Sequence, residues 1–298
     1  MVIGQGRVAE SVPALSTVDP GSLGLAVARV NGEVFTSGHA DERFSIQSVS
    51  KLFAFAALLR LEGMAAWDRV RWLPSVSRFD SLAELEAHDG QPRNPFVNAG
   101  AMLVVDRLMS LTGRPTLHLL ETLRRESGSR DIAVDERVRR SEAAHGHRNS
   151  ALGHFLASYG LLQNGVDEVL HEYYSQCSIS ASCRELATAG LFLANRGVTA
   201  SGQHLLESRL TRTLNAVLLM AGTYNAAGDF AYRVGLPAKS GIGGGILAVM
   251  PGEGVVCVWS PALDHTGTSA AGVATLEAFT RMTEWSIFED STASDSSR

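Results

Sequence analysis

The sequence predicts an α+β fold: one antiparallel sheet formed by both ends of the chain, helices flanking it, and an all-helical lobe inserted between. Three observations carry this expectation. Asn31-Gly32 separates two β-type runs near the N-terminus. A second pair of apolar runs flanks Pro251-Gly252-Glu253 near the C-terminus. The pattern between the two hairpins is mostly helical.

Residues 23–30 and 33–37 read as a hairpin, because an Asn-Gly pair between two β-type runs is the strongest short hairpin signal. Residues 48–62 are apolar on nearly every face, which marks a buried helix that stops at Gly63. Further helices are expected over 98–112, 116–126, 149–162, 182–196 and 206–220. Residues 245–250 and 254–259 make the late hairpin, and 269–285 a C-terminal helix. With no repeat or long linker, residues 1–290 are expected to form one domain. Its sheet-containing lobe takes about 1–60 and 225–290, and its helical lobe about 61–224. Ser291 to Arg298, small and polar, reads as a disordered tail.

Composition narrows the function. At 45% hydrophobic and 19% charged residues, the 298-residue chain is an ordinary globular protein. A net charge of −5 gives no basic footprint, so no nucleic-acid partner is expected. No apolar run reaches the roughly 18 residues of a membrane helix, and MVIGQGRVAE lacks the features of a secretory signal. Cys177, Cys183 and Cys257 are sparse, odd in number and without C-x-x-C spacing. They read as free thiols in a reducing compartment, not as a zinc site, and the expected location is cytoplasmic.

Of the 26 basic residues only Lys51 and Lys239 are lysines. Arginine cannot serve as a base near neutrality and lysine can once its pKa is depressed, so these two positions carry chemical interest. Lys51 closes Ser48-Val49-Ser50-Lys51, an S-x-x-K. Residues three apart on a helix share a face, so Lys51 Nζ is expected to reach Ser48 Oγ. Burial lowers the lysine pKa, and an N–H left unpaired at a helix start is an oxyanion donor. The alternative reading is an N-cap serine and a snorkelling lysine. Lys239 opens Lys239-Ser240-Gly241, which precedes Ile242-Gly243-Gly244-Gly245. A K-S/T-G on an edge strand is a signature of penicillin-recognising serine hydrolases, so the two motifs in this order point to a β-lactamase-like fold.

The segments FSIQSVSK, PRNPFVNAGAM, Ser141-Glu142 with Arg148-Asn149, QCS, and AAGDFAYRVGLPAKSGIGGGI resemble, in that order, the serine-dependent glutaminases, from about residue 6 to about 272. The resemblance implies Ser48 as nucleophile, Lys51 as base, and the N–H groups of Ser48 and Ile242 as the oxyanion hole. It places Asn98, Glu142, Asn149, Tyr173 and Tyr224 against the substrate L-glutamine. Glu142 suits an ammonium and the two asparagines a carboxylate, and Tyr173 is positioned to pass a proton to departing ammonia. It implies no metal or organic cofactor, and a homodimer or homotetramer.

The chain departs from the family pattern in places. Where the family commonly reads Y-I-P before the first strand, Ser11-Val12-Pro13 stands here. A V-E-P-S-G-like loop appears as Leu73-Pro74-Ser75-Val76, and F-N-S-L as Phe79-Asp80-Ser81-Leu82. These changes bear on affinity and assembly more than on reaction class. Two other readings stand beside glutamine hydrolysis. One is a different serine amidase or β-lactam-type hydrolase on the same fold. The other is a catalytically weak relative that binds glutamine.

Overall fold

Side chains alternate across a strand, and three strands of the chain's two ends are apolar on both faces. They therefore need cover on both sides, and the computed structural model, which describes residues 3–289, supplies it. Strands β1 (Gly24–Arg29), β2 (Val34–Gly38), β6 (Ala238–Ser240), β7 (Gly245–Met250) and β8 (Gly254–Trp259) form an antiparallel sheet in the order β2-β1-β8-β7-β6. The chain's two ends meet at the β1–β8 pairing, with Ala26 opposite Cys257. A smaller sheet, unexpected from the sequence, joins β3 (Phe44–Ser45), β4 (Ala133–Val134) and β5 (Ile179–Ala181) in the order β3-β5-β4. Strands of two or three residues carry too little periodicity to be read from sequence.

The helices are α1 (Ser50–Glu62), α2 (Ala66–Val70), α3 (Leu82–Glu86), α4 (Asn98–Thr112), α5 (Pro115–Ser127), α6 (Glu136–His145), α7 (His147–Ser158), α8 (Val166–Cys177), α9 (Cys183–Ala189), α10 (Leu191–Ala194), α11 (Ser208–Ala221), α12 (Ala227–Val234) and α13 (Ala270–Thr283). Leu247, Val249, Val255, Cys257 and Trp259 face the main core, which contains α1, α4, α8 and α9. The alternate residues Ile246, Ala248, Val256 and Val258 face a second core with Phe230 of α12 and Leu276 of α13. The result is a sheet between two helical layers, with the helical lobe extending the first.

Several expectations shift on inspection. The helix expected from residue 48 begins as a 3-10 turn, Gln47–Val49, and becomes α-helical only at Ser50. The helix expected over 182–196 divides at Gly190, where the chain passes so close to Leu247 and Val255 of the sheet that a Cβ would crowd both. The helix expected over 149–162 stops at Ser158, two residues before Gly160 at φ +65°. Helices α6 and α8 were not expected. In α6 only Val138 and Glu142 are buried, which leaves no apolar stripe to detect, and α8 ends in Tyr-Tyr-Ser-Gln-Cys, a poor helix-former by composition. The expected tail, 291–298, lies outside the described residues.

Asp106 links the lobe's helices. Fully buried in α4, it accepts hydrogen bonds from Gln163 N (3.0 Å), Asn164 N (2.8 Å) and Asn164 Nδ2 (2.9 Å), which anchors the loop that launches α8. Asp106→Ala strands these donors and is expected to lower unfolding free energy by about 2–4 kcal/mol, measured by urea denaturation.

Candidate active site

The site forms where the start of α1 meets the turn after β6. Gln47 adopts φ +49°, and its Nε2 donates to Ser45 Oγ (3.0 Å), which in turn donates to Cys177 O (3.0 Å) at the end of α8. This holds the 3-10 turn that presents Ser48. Across from it, β6 is the edge strand of the main sheet, as the Lys-Ser-Gly motif implied. Glycine is needed in the turn that follows. A Cβ on Gly241 would stand 2.8 Å from Ile46 O and 3.2 Å from Ser48 N, and one on Gly243 would overlap Ser45 O. Trp259 Nε1, donating to Gly243 O at 2.9 Å, and the stacking of Trp259 on Phe44 (centroids 5.1 Å apart) fix this approach. Among the described residues neither Ser48 N–H nor Ile242 N–H donates to a backbone carbonyl. Two free amides thus lie on the wall of one cavity.

Lys51 is 3% exposed. Its Nζ donates to Phe96 O (3.1 Å) and Asn98 Oδ1 (2.6 Å), and lies 5.6 Å and 5.8 Å from the ring centres of Tyr173 and Tyr224. Burial pulls its pKa down to about 8, against the opposing attraction of Cys177, Glu142 and Asp80. A neutral amine has two N–H groups and a lone pair. Here both N–H groups have acceptors, and the lone pair remains for a proton. The expected direct contact between Lys51 Nζ and Ser48 Oγ is not formed as a hydrogen bond. Lys51 Nζ is taken up by Phe96 O and Asn98 Oδ1 of the helical lobe, and Ser48 precedes α1 in the 3-10 turn.

Asn98 Nδ2 continues the chain of hydrogen bonds to Asn149 Oδ1 (2.8 Å) at the start of α7. Glu142, on α6, is 6% exposed; burial raises its carboxyl pKa to about 7, opposed by hydrogen bonding to Gln47 and by Lys51. Tyr173 on α8 and Tyr224 are both buried, and burial raises both phenol pKa values. Tyr224 holds φ +59° and packs on Phe79 at 5.0 Å. Lys239, fully buried, donates to Gly222 O and Ser240 O (2.7 Å each) and lies 4.1 Å from the centre of the Tyr224 ring. Burial and, next, Lys51 hold its pKa well below the ordinary lysine value.

Ser48, Asn98, Glu142, Asn149, Tyr173 and Ile242 all line one cavity of about 160 Å³. Lys51 and Tyr224 lie behind that wall, Lys51 joined to it through Asn98. Sequence reasoning missed Gln47, Cys177, Arg78 and Asp80, which share the wall. Gln47 lay inside a quoted motif, but nothing in the sequence signals its positive φ. Among the described residues no cluster of three or more His, Cys, Asp or Glu side chains could hold a metal ion.

A serine beside two unpaired amides, backed by a buried lysine of depressed pKa at the edge of an antiparallel sheet, defines a hydrolase of the β-lactamase-like fold. The chain belongs to the glutaminase family, whose model matches residues 6–288. It is 52% identical over 285 residues to a glutaminase of Streptomyces coelicolor, covering 96% of this chain and 93% of that one. Among solved structures it is similar to a probable glutaminase, YbaS (TM-score 0.91, 32% identity, 96% and 93% covered). It is also similar to a probable glutaminase from Bacillus subtilis complexed with 6-diazo-5-oxo-L-norleucine (TM-score 0.86, 30% identity, 96% and 92% covered).

Gly243→Ala places a methyl group against Ser45 O. The turn must then withdraw, taking Ile242 N–H with it, and kcat is expected to fall about 10²–10³-fold, the loss of one oxyanion donor. Steady-state kinetics beside a circular-dichroism spectrum of a folded variant check this.

Proposed function

We propose that this chain hydrolyses L-glutamine to L-glutamate and ammonia through an acyl-enzyme on Ser48. The observation that carries the mechanism is the pair of unpaired amides, Ser48 N–H and Ile242 N–H, on the cavity that Glu142 and Asn149 also line. The carbonyl oxygen of the side-chain amide takes the two N–H groups. Neutral Lys51 removes the Ser48 proton, a contact that tightens once substrate fills the cavity. Ser48 Oγ bonds to the amide carbon, the tetrahedral oxyanion collapses, and ammonia leaves with a proton from Tyr173, which the proton held by Lys51 replaces. Water then cleaves the ester. Glu142 receives the α-ammonium and the Asn98–Asn149 pair the α-carboxylate. The bound inhibitor of the B. subtilis relative, an amino-acid derivative, supports an amino-acid site. No step calls for a metal or organic cofactor.

The reading includes a cytoplasmic location, supported by three free, buried thiols. It also includes a homo-oligomer. Exposed Trp72, Met64 and Met220 border an apolar hollow of about 240 Å³, a surface suited to self-association.

Ser48→Ala is expected to lower glutamine turnover by at least about 10⁴-fold while glutamine still binds; an active Ser48→Ala protein, assayed by ammonia release, overturns the mechanism. The pH profile follows from two groups that both act deprotonated. Glu142 must be charged and Lys51 neutral, with pKa values near 7 and 8, so kcat/KM is expected to rise from pH 6 and level off above about pH 8.5. Glu142→Gln removes the lower of the two steps and raises KM.

A further inference from the structure

The Ser48 cavity adjoins a second, larger cleft of about 590 Å³, and Ser11, Arg78, Phe79 and Ile242, each of which lines both, form the rim between them. The groups assigned to the amino-acid end of the substrate, Glu142, Asn98 and Asn149, line the first cavity alone. Ile242, whose N–H would hold the reacting carbonyl, stands on the rim itself. A substrate with its α-ammonium at Glu142 and its γ-carbonyl at Ile242 therefore has its far end directed toward the cleft. Ammonia needs none of that space.

The rim is low where a larger side chain would close it. Ser11 is exposed there, on a segment pinned to α6 by Ala14 N donating to Ser141 Oγ (3.2 Å), with Val12 buried beneath. Beyond the rim the cleft offers two guanidinium groups. Arg7 is exposed and makes no ion pair or side-chain hydrogen bond among the described residues, and the side chain of Arg78 is 74% exposed although it pairs with Asp80. The acidic residues on the same walls are Glu10 and Asp264. Asp264 Oδ1 is already occupied by Thr266 N (2.8 Å), Thr266 Oγ1 (2.6 Å) and Thr268 N (3.1 Å).

Resting on the glutamine reading of the same site, we propose that this chain also hydrolyses γ-glutamyl amino acids. The γ-glutamyl group fills the Ser48 cavity, and the released amino acid lies in the cleft with its carboxylate toward Arg7 and Arg78. The chemistry is that of the amide. Ser48 Oγ bonds to the γ-carbonyl carbon (Cδ) as its proton passes to Lys51, the bond from that carbon to the amino acid's nitrogen breaks, the amine leaves with that proton returned to it, and water cleaves the acyl-enzyme to glutamate.

The test compares L-glutamine, γ-L-glutamyl-L-alanine and γ-L-glutamylethylamide on the purified full chain, with glutamate release as readout and Ser48→Ala as blank. The dipeptide is expected within about tenfold of glutamine in kcat/KM, and about tenfold above the ethylamide, which lacks the carboxylate. Arg7→Ala is expected to erase the preference for dipeptide over ethylamide. His265→Trp, an exposed cleft residue outside the first cavity, fills the cleft and is expected to lower dipeptide turnover more than tenfold while glutamine turnover holds. Ser11→Tyr, which raises the rim, is expected to lower the dipeptide-to-glutamine ratio likewise. Ser48-dependent glutamine turnover with dipeptide turnover a thousandfold weaker overturns this proposal and leaves the glutaminase reading intact. Dipeptide turnover without glutamine turnover upholds it and displaces glutamine as the substrate. Loss of both overturns both.

Discussion

The contact on which the site depends is the seating of the Gly241–Gly243 turn against residues 45–48. Two segments almost two hundred residues apart must bring two backbone amides to one point without either amide being consumed by secondary structure. That is possible only where both backbones lack side chains at the contact, which the glycines supply, and where the carbonyls between them are already occupied or anchored. Everything around it reinforces this approach. Trp259 holds Gly243 from the sheet side, and Ser45, Gln47 and Cys177 hold the serine turn from the helical side.

Behind that contact lies an electrostatic arrangement with little freedom. Both lysines of the chain are buried, and each has two carbonyl or amide oxygens for its N–H groups. Burying a charged ammonium costs several kcal/mol; burial lowers both pKa values, and Lys51 lowers that of Lys239 further. The tyrosine between them is confined by the same packing. Tyr224 lies 4.1 Å from Lys239 and 5.8 Å from Lys51, with Phe79 on its ring and a positive φ at its backbone. The use of arginine for nearly every surface cation leaves lysine where a removable proton matters.

The departures noted in the sequence take on a physical meaning in place. Ser11 stands on the rim between two hollows and lines both, so its small size lowers the boundary between them. Asp80 faces the cavity and pairs with the exposed Arg78, which adds a carboxylate that pulls the pKa of Lys51 upward.

The sequence alone determined the two hairpins, the buried α1 helix and the helices α4, α5 and α11, because each has strong period-two or helical patterning, or a turn pair, within a short window. It also singled out Ser48, Lys51, Lys239 and the Gly-rich turn through residue types whose chemistry is restrictive. Tertiary structure alone decided the rest. The 3-10 turn at Ser48, the break at Gly190 and the small sheet arise from contacts with distant segments, and no local pattern encodes them. Helix α6, which carries Glu142, buries that carboxylate and Val138 in place of an apolar stripe, so a residue of the candidate site also obscures its helix, whereas the buried face of α8 runs from Val169 and Leu170 into the polar-tipped Tyr173 and Tyr174. Which amides are left unpaired, and how far the cavity continues past them, depends on the meeting of both chain ends and is a property only of the folded molecule.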